Sequence, residues 1–136
     1  MPCLSGEYDP AVGVLLQVAV LPGGTLEQSP QGEAPVFSGL LDTGADVTCI
    51  SDRVVSLLGL QPTGKGQVVG VTGTGVSNQY LVDLLLQFGN QHIGIPDHSV
   101  SAFGAGSPFF DVLIGRDIIC KGVLTIDFAG RFTFSV

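Results

Sequence analysis

Apolar residues along this chain occur in short runs separated by glycine, proline and polar residues, a pattern that predicts β-strands joined by tight turns. The first long run, residues 12–21, is rich in valine and predicts a buried strand. Further strands are predicted over residues 36–41, 48–50, 67–71, 76–88, 92–95, 98–103, 112–114, 123–128 and 131–136. The pattern therefore predicts a mostly β protein.

Two short stretches depart from the strand pattern and predict helices. Ser51 is a typical N-cap residue, an apolar set follows it, and Gly59 is typical of a left-handed C-cap. A second helical turn is predicted over residues 116–120. We therefore expect one or two short helices beside the strands.

The 136 residues predict a single domain, because one hydrophobic core typically serves roughly 100–200 residues. Within this domain, residues 1–136, we expect a loose amino terminus over residues 1–11 and a polar loop over residues 22–35. Residues 67–88 are expected to form a hairpin with a glycine-rich tip.

Composition and charge narrow the classes of partner. Charged residues make up 12% of the chain, against a typical share of about 25%, so that a partner is expected to cover apolar surface. The net charge is −7 and no basic run is present, which excludes nucleic-acid binding. No apolar stretch is long enough to span a membrane and no signal peptide is visible, so we expect no membrane association and a cytoplasmic location.

Cysteine and histidine are too few and too scattered to predict a metal site or a disulfide framework. The three cysteines include no C-x-x-C pair, and Cys49 and Cys120, which lie in apolar runs, are expected to be small buried side chains. His92 and His98 have no cysteine nearby and are expected to be solvated or buried structural residues.

Two glycine-rich segments come close to phosphate-binding motifs without matching them. Residues 59–65 have the glycine spacing and the lysine of a P-loop, but Gly66 stands where the motif needs Ser or Thr. Residues 70–75 have the wrong glycine order for a dinucleotide site and fall in a predicted hairpin. No cofactor is therefore predicted.

One acidic turn differs from the others because apolar strands flank it on both sides. Asp42 ends the strand over residues 36–41 and is followed by Thr43 and Gly44. A carboxylate at a buried junction needs hydrogen bonds, and the Thr43 hydroxyl and Gly44 amide are suitable local donors. The residues alone are compatible with a functional carboxylate and with an ordinary polar turn.

Residues 41–46 (LDTGAD) together with residues 112–117 (VLIGRD) resemble the retropepsin-like aspartic proteases. These proteins have an Asp-Thr/Ser-Gly-Ala catalytic turn, a glycine-rich flap and a late Gly-Arg segment before a short helix, and all three elements occur here in that order. The resemblance implies a closed, mostly antiparallel acid-protease β-barrel with one or two short helices. It also implies a cofactor-free endopeptidase that acts on extended peptide or protein substrates, and the chain resembles the free-standing cellular or bacterial members.

The resemblance implies a role for each residue of the acidic turn. Asp42 would be the catalytic aspartate, and the Thr43 hydroxyl would make hydrogen bonds that lock two such loops together. Gly44 would let the substrate backbone approach closely and would accept a hydrogen bond from it.

Further site residues are implied on both sides of the substrate. Ala45 and Asp46 would bind the substrate main chain, and Arg116, which follows Gly115, would pair with Asp46 and brace the site. A guanidinium suits that task because its fork of donors can hold a carboxylate in one geometry. The flap tip that closes over the peptide would consist of Gly70, Val71, Thr72, Gly73, Thr74 and Gly75.

A single Asp-Thr-Gly turn implies two chains. Aspartic protease chemistry needs two carboxylates that share one proton, and this chain has one such turn. The second Asp42 is therefore expected from another copy in a two-fold homodimer. The last predicted strand, residues 131–136, is a candidate to extend a sheet between the two copies.

Two other hypotheses remain open. A catalytically silent retropepsin-like module would keep the fold and the dimer, or bind extended peptides, without cleaving them. A plain β-barrel interaction domain would carry the Asp-Thr-Gly turn by coincidence. A statine-type inhibitor separates the protease from the silent module, because its hydroxyl mimics the tetrahedral intermediate.

Overall fold

The computed structural model describes residues 2–26, 34–70, 73–105, 107–127 and 129–136. In chain order the elements are β1 (Cys3–Glu7), β2 (Leu15–Pro22), β3 (Val36–Leu41), β4 (Cys49–Ile50), α1 (Asp52–Leu58), β5 (Gly64–Gly70), β6 (Gly73–Phe88), β7 (Gln91–Ala102), β8 (Val112–Ile114), α2 (Arg116–Ile119), β9 (Val123–Ile126) and β10 (Arg131–Ser135). The expected mostly β protein with two short helices is confirmed.

Six strands close into a barrel. The order around it is β2-β3-β8-β4-β7-β6, and β6 pairs again with β2. Four of the six pairings are antiparallel, while β3 with β8 and β4 with β7 are parallel. Strand β5 continues the sheet from β6, so the β5–β6 hairpin extends beyond the closed ring.

The barrel interior is filled by branched aliphatic side chains from every wall. These side chains suit a pleated, buried surface, which is why the valine-rich runs of the sequence became strands. The fully buried members include Val18, Val20, Ile50, Val82, Leu84, Leu86, Val100, Val112 and Ile114. Ile114 is the last residue of β8, so the core reaches the strand end beside the acidic turn.

A second, three-stranded sheet has the order β1-β10-β9. The expected loose amino terminus is wrong for residues 3–7, which form β1 and pair with β10. Leu4 is completely buried and lies opposite Phe134, and Gly6 leaves room for the ring of Phe88. The five residues of β1 contain one large apolar residue, so their pattern gave no strand signal.

The predicted helix boundaries agree closely with the structure. The Ser51 hydroxyl accepts a hydrogen bond from the Val54 amide, and Gly59 ends α1 with φ 61°, which is the left-handed region that favours glycine. Helix α2 follows Gly115 without a side-chain cap. Cys120, at its end, is exposed, so its expected burial is wrong, whereas Cys49 is buried as expected.

Other predicted boundaries moved. The strands expected over residues 92–95 and 98–103 are one strand, β7, and the predicted break coincides with an irregularity near Asp97, whose φ is 48°. Part of the predicted polar loop, residues 27–33, lies outside the described residues, as do residues 71–72 at the hairpin tip.

Candidate active site

Strand β8 brings two distant segments to the same end of the barrel. It lies between β3 and β4 in the sheet and runs parallel to β3, with Leu41 opposite Ile114. Both strands therefore end together, and the residues that follow them meet. The Asp42 amide donates to the Ile114 carbonyl at 2.9 Å, which fixes the start of the acidic turn against the end of β8.

The Asp42 carboxylate is held by its own turn. Its Oδ1 accepts a hydrogen bond from the Gly44 amide at 2.8 Å, and its carbonyl accepts one from the Ala45 amide at 3.2 Å. A Cβ at Gly44 would lie 3.2 Å from the same Oδ1, so a side chain there would press on the carboxylate. Asp42 is partly exposed, and Thr43 and Gly44 are exposed, so this turn faces outward from the barrel end.

Arg116 donates three hydrogen bonds to the loop that follows Asp42. Its amide donates to the Ala45 carbonyl at 2.8 Å, and its Nη1 donates to the Thr43 carbonyl at 3.3 Å. Its Nη2 donates to Asp46 Oδ1. The side chains of Arg116 and Asp46 are 48% and 67% exposed, so the ion pair itself contributes roughly 0–1 kcal/mol. The pair therefore adds little to the stability of the fold, and together with the two backbone contacts it links the loop to the start of α2.

Gly115 allows two backbone segments to pack directly against each other. A Cβ at this position would lie 2.6 Å from the carbonyl carbon of Val47 and 3.0 Å from the Ala45 oxygen. Real Cβ atoms do not approach backbone this closely, so a side chain here would push the loop away from α2. This close approach is what lets the Arg116 amide reach the loop.

A partly buried polar cluster lies behind this loop, and it includes His98, which agrees with the expectation of a buried structural histidine, whereas its partners Asp117 and Thr48 were not predicted. Asp117 accepts hydrogen bonds from the Thr48 amide at 2.9 Å and the Thr48 hydroxyl at 2.7 Å, and it contacts His98 Nε2 at 2.8 Å. Burial by itself raises the pKa of Asp117, but the hydrogen bonds from His98 and Thr48 outweigh it and hold the pKa below its usual range. Asp117 directly after Gly115 and Arg116 was the one available signal.

The predicted flap corresponds to the β5–β6 hairpin. The two strands pair antiparallel from Gly64 opposite Gln79 to Gly70 opposite Gly73. Gly70, Gly73, Thr74 and Gly75 lie on these strands near the tip, while Val71 and Thr72 lie outside the described residues. Among the described residues β5 pairs with β6 alone, so the hairpin projects from the barrel.

The residues that the structure describes offer neither a metal-binding cluster nor a membrane-spanning helix. No group of three or more histidine, cysteine or acidic side chains is placed to hold a metal ion. None of the helices is long and apolar enough to cross a membrane.

Comparison with known proteins assigns the family. The sequence model of the retroviral aspartyl protease family matches residues 6–126, and no curated protein sequence matches the chain. Among solved structures, a retropepsin-like aspartic protease from Rickettsia conorii is similar in fold, with a TM-score of 0.62, 10% identity, and coverage of 97% of this chain and 89% of that one. The Simian Foamy Virus (mac) protease matches with a TM-score of 0.48 and 14% identity over 79% of this chain and 92% of that one. The foamy viral protease-reverse transcriptase matches with a TM-score of 0.49 and 22% identity over 82% of this chain but 13% of its own length. With nearly its whole length matched, this chain belongs to the retroviral aspartyl protease family and has the retropepsin-like fold.

Proposed function

We propose that this chain is an aspartic endopeptidase whose catalytic dyad consists of Asp42 from each of two copies. The observation that carries the proposal is the presentation of the Asp42 carboxylate at the barrel end. The Gly44 amide donates to one oxygen of the Asp42 carboxylate at 2.8 Å, and Arg116 donates hydrogen bonds to the loop that follows. A carboxylate fixed in this way is oriented before any substrate arrives, as general acid–base catalysis requires.

The proposed reaction is hydrolysis of a peptide bond by an activated water. One Asp42 carboxylate takes a proton from the water while the water oxygen bonds to the scissile carbonyl carbon. The partner copy's Asp42, which carries the shared proton, donates it to the carbonyl oxygen as negative charge develops there. The tetrahedral intermediate then loses its C–N bond: the first Asp42 gives the proton that it took from water to the leaving nitrogen, and the partner copy's Asp42 takes a proton back from a hydroxyl of the intermediate as the new carboxyl group forms.

The proposed substrate is an extended peptide lying between the dyad and the β5–β6 hairpin. Ala45 and Asp46 would contact its main chain from below, and the hairpin tip would cover it from above. Arg116 engages one Asp46 carboxylate oxygen, and the second oxygen and the amide, which have no partner among the described residues, would bind the peptide. Strand-like hydrogen bonds to an extended backbone would supply much of the affinity.

Two-chain assembly is part of the proposal. The three-stranded sheet β1-β10-β9, here called the terminal sheet, limits which strands can pair with a second copy. Both edges of β10 are already paired, to β1 and β9, so β10 cannot extend a sheet into a partner. Among the described residues β9 pairs with β10 alone, and its Val123 and Ile126 side chains are 65% and 46% exposed. We therefore propose the β9 edge as the contact between two copies, because an exposed apolar edge strand pairs readily with a second strand.

Cleavage of a mixed peptide library by wild type and Asp42→Asn, scanned from about pH 4 to 7, tests the proposal. Asp52→Asn is the matched control, since Asp52 is an exposed acid in the first turn of α1. We expect wild type and Asp52→Asn to cleave the same peptides, with inhibition by a statine-type compound, and Asp42→Asn to be inactive. Cleavage by Asp42→Asn would overturn the mechanism, and silence of an intact wild-type dimer would favour a peptide-binding module.

A further inference from the structure

Three polar side chains from three different elements meet behind the candidate active site. His98 lies on β7, Thr48 precedes β4, and Asp117 lies in the first turn of α2. Thr48 is completely buried, and the side chains of His98 and Asp117 are 13% and 22% exposed. Nothing in the proposed catalytic reaction uses this cluster directly.

The hydrogen bonds in the cluster have a defined direction. Asp117 Oδ1 accepts from the Thr48 hydroxyl at 2.7 Å and the Ile118 amide at 2.9 Å, and Oδ2 accepts from the Thr48 amide at 2.9 Å. An ionised carboxylate only accepts, so the contact at 2.8 Å requires His98 Nε2 to carry a proton and donate it. Because Thr48 donates its hydroxyl proton to Asp117, its oxygen is available to accept from the Gly115 amide at 3.1 Å.

This chain of hydrogen bonds ends at the residues that grip the catalytic loop. Thr48 closes the loop that begins at Asp42, and Gly115 immediately precedes Arg116. The cluster therefore fixes the end of the loop relative to the start of α2, where Arg116 contacts the loop. A shift of Asp117 would move Thr48 and Gly115 together, and with them the three contacts that Arg116 makes.

We propose that His98 is a positioning residue, which acts through Asp117 and Thr48 to hold the Asp42 loop and Arg116 in the geometry that catalysis needs. The proposal rests on the peptidase function proposed above. His98 does not itself touch substrate. Among the described residues, it supplies the one side-chain donor to Asp117 that comes from outside the loop and α2, and so it ties both to the barrel wall at β7.

Three variants test this role. His98→Leu removes the donor, His98→Gln keeps an N–H donor at similar reach, and His92→Leu is the matched control because His92 is exposed on the same strand. At concentrations that saturate the dimer, we expect His98→Leu to lower kcat at least about tenfold with KM within about threefold of wild type. His98→Gln should recover most of kcat, and His92→Leu should match wild type.

A purely structural role would lower thermal stability and leave kcat per folded dimer unchanged. Wild-type kcat in folded His98→Leu, or equal loss in folded His98→Gln and His98→Leu, would overturn the proposal. If His98→Leu does not fold, the comparison of His98→Gln with His92→Leu still decides it: His98→Gln retaining less than about a tenth of wild-type kcat would overturn the role.

An NMR measurement on the wild-type protein does not depend on peptidase activity. We expect the ring ¹⁵N shifts of His98 to show that Nε2 carries a proton at neutral pH. We expect the ring N–H of His92, which is exposed, to exchange rapidly with solvent. We also expect the amide resonances of Thr48, Gly115 and Arg116 to move in His98→Leu and to stay in place in His92→Leu. A His98 protonated on Nδ1 alone, or unmoved amides, would overturn the positioning role even if no peptide is cleaved, so the two proposals can fail separately.

Discussion

At the scale of single residues, the candidate site depends on groups whose geometry cannot be replaced by a similar residue. Gly44 and Gly115 act through the absence of a side chain: a Cβ at Gly115 would collide with the loop backbone, and one at Gly44 would crowd the Asp42 carboxylate oxygen at 3.2 Å. Arg116 acts through the spread of its donors, which reach the Thr43 carbonyl and the Asp46 carboxylate at the same time. In the proposed function, the orientation of the Asp42 carboxylate therefore depends on neighbours that take no part in the reaction.

Arg116→Lys should lower kcat/KM at least about tenfold or weaken the dimer, because a single ammonium cannot reach both acceptors of the guanidinium fork. Steady-state kinetics and sedimentation measure the two effects. Arg131→Lys, at an exposed position on β10, is the control and should match wild type. An Arg116→Lys variant with unchanged activity and assembly would contradict a role for Arg116 in holding the Asp42 loop.

Two of the three thiols, those of Cys49 and Cys120, should differ sharply in reactivity. Burial, with a further contribution from the Asp117 carboxylate, raises the pKa of Cys49 to about 11, so its reactive thiolate is scarce at pH 8. Iodoacetamide at that pH should label exposed Cys120 rapidly and Cys49 only after unfolding, as peptide mass spectrometry would show. Rapid labelling of Cys49 in the folded protein would contradict its burial.

At the scale of elements, a buried carboxylate joins three segments of the barrel wall. Asp83 on β6 is 1% exposed and accepts backbone N–H groups from Gly24, Thr25, Leu26 and Asp97. Burial by itself raises its pKa, but these four hydrogen bonds outweigh burial and hold the pKa below its usual range. The carboxylate sits at the register shift between β6 and β7 and fixes the chain that leaves β2.

Asp83→Asn should destabilise the fold by at least about 2 kcal/mol at neutral pH, since an amide cannot accept all four N–H groups. The lowered pKa means that the carboxylate stabilises the native state fully above its unfolded pKa of about 3.9 and loses that contribution as pH falls through the lower, folded value. The difference in free energy of unfolding between wild type and Asp83→Asn should therefore shrink below about pH 4.

Urea unfolding at several pH values measures this difference. Glu7→Gln, at an exposed position on β1, is the control and should follow wild type at every pH. A constant difference between wild type and Asp83→Asn down to about pH 2 would show that the charge of Asp83 does not stabilise the fold.

At the scale of the whole molecule, the low charge content and the terminal sheet point to assembly. With 12% charged residues the surface retains large apolar side chains, and two of them lie on the β9 edge. Because β10 is enclosed between β1 and β9, a two-fold contact through this sheet has to use an outer strand. Assembly and catalysis are therefore coupled in the proposed function, since one copy holds half of the dyad.

Val123→Lys combined with Ile126→Lys should weaken the dimer at least about tenfold, because two desolvated charges would face each other across the axis. Specific activity of wild type should fall on dilution. The protein concentration at which specific activity is half its maximum should be higher for the double variant. Leu57→Lys is the control, since Leu57 is 60% exposed on α1. Full activity in a demonstrated monomer would contradict the two-chain mechanism.

The sequence by itself determined what depends on neighbouring residues. Strand-forming runs predicted a mostly β fold, and Ser51 with Gly59 predicted both ends of α1, because periodicity and caps are properties of a few consecutive residues. The family followed from the acidic turn and the Gly-Arg segment taken together.

Only the tertiary structure decided which distant groups meet. Thr48 and Asp117 are 69 residues apart, and His98 has the same local surroundings in the sequence whether it is solvated or hydrogen-bonded. The pairing of β1 and the exposure of Cys120 were missed for the same reason. These contacts form only when the barrel closes, because they join residues that are far apart in the sequence. The local pattern of apolar and polar residues does not specify which distant residues will meet.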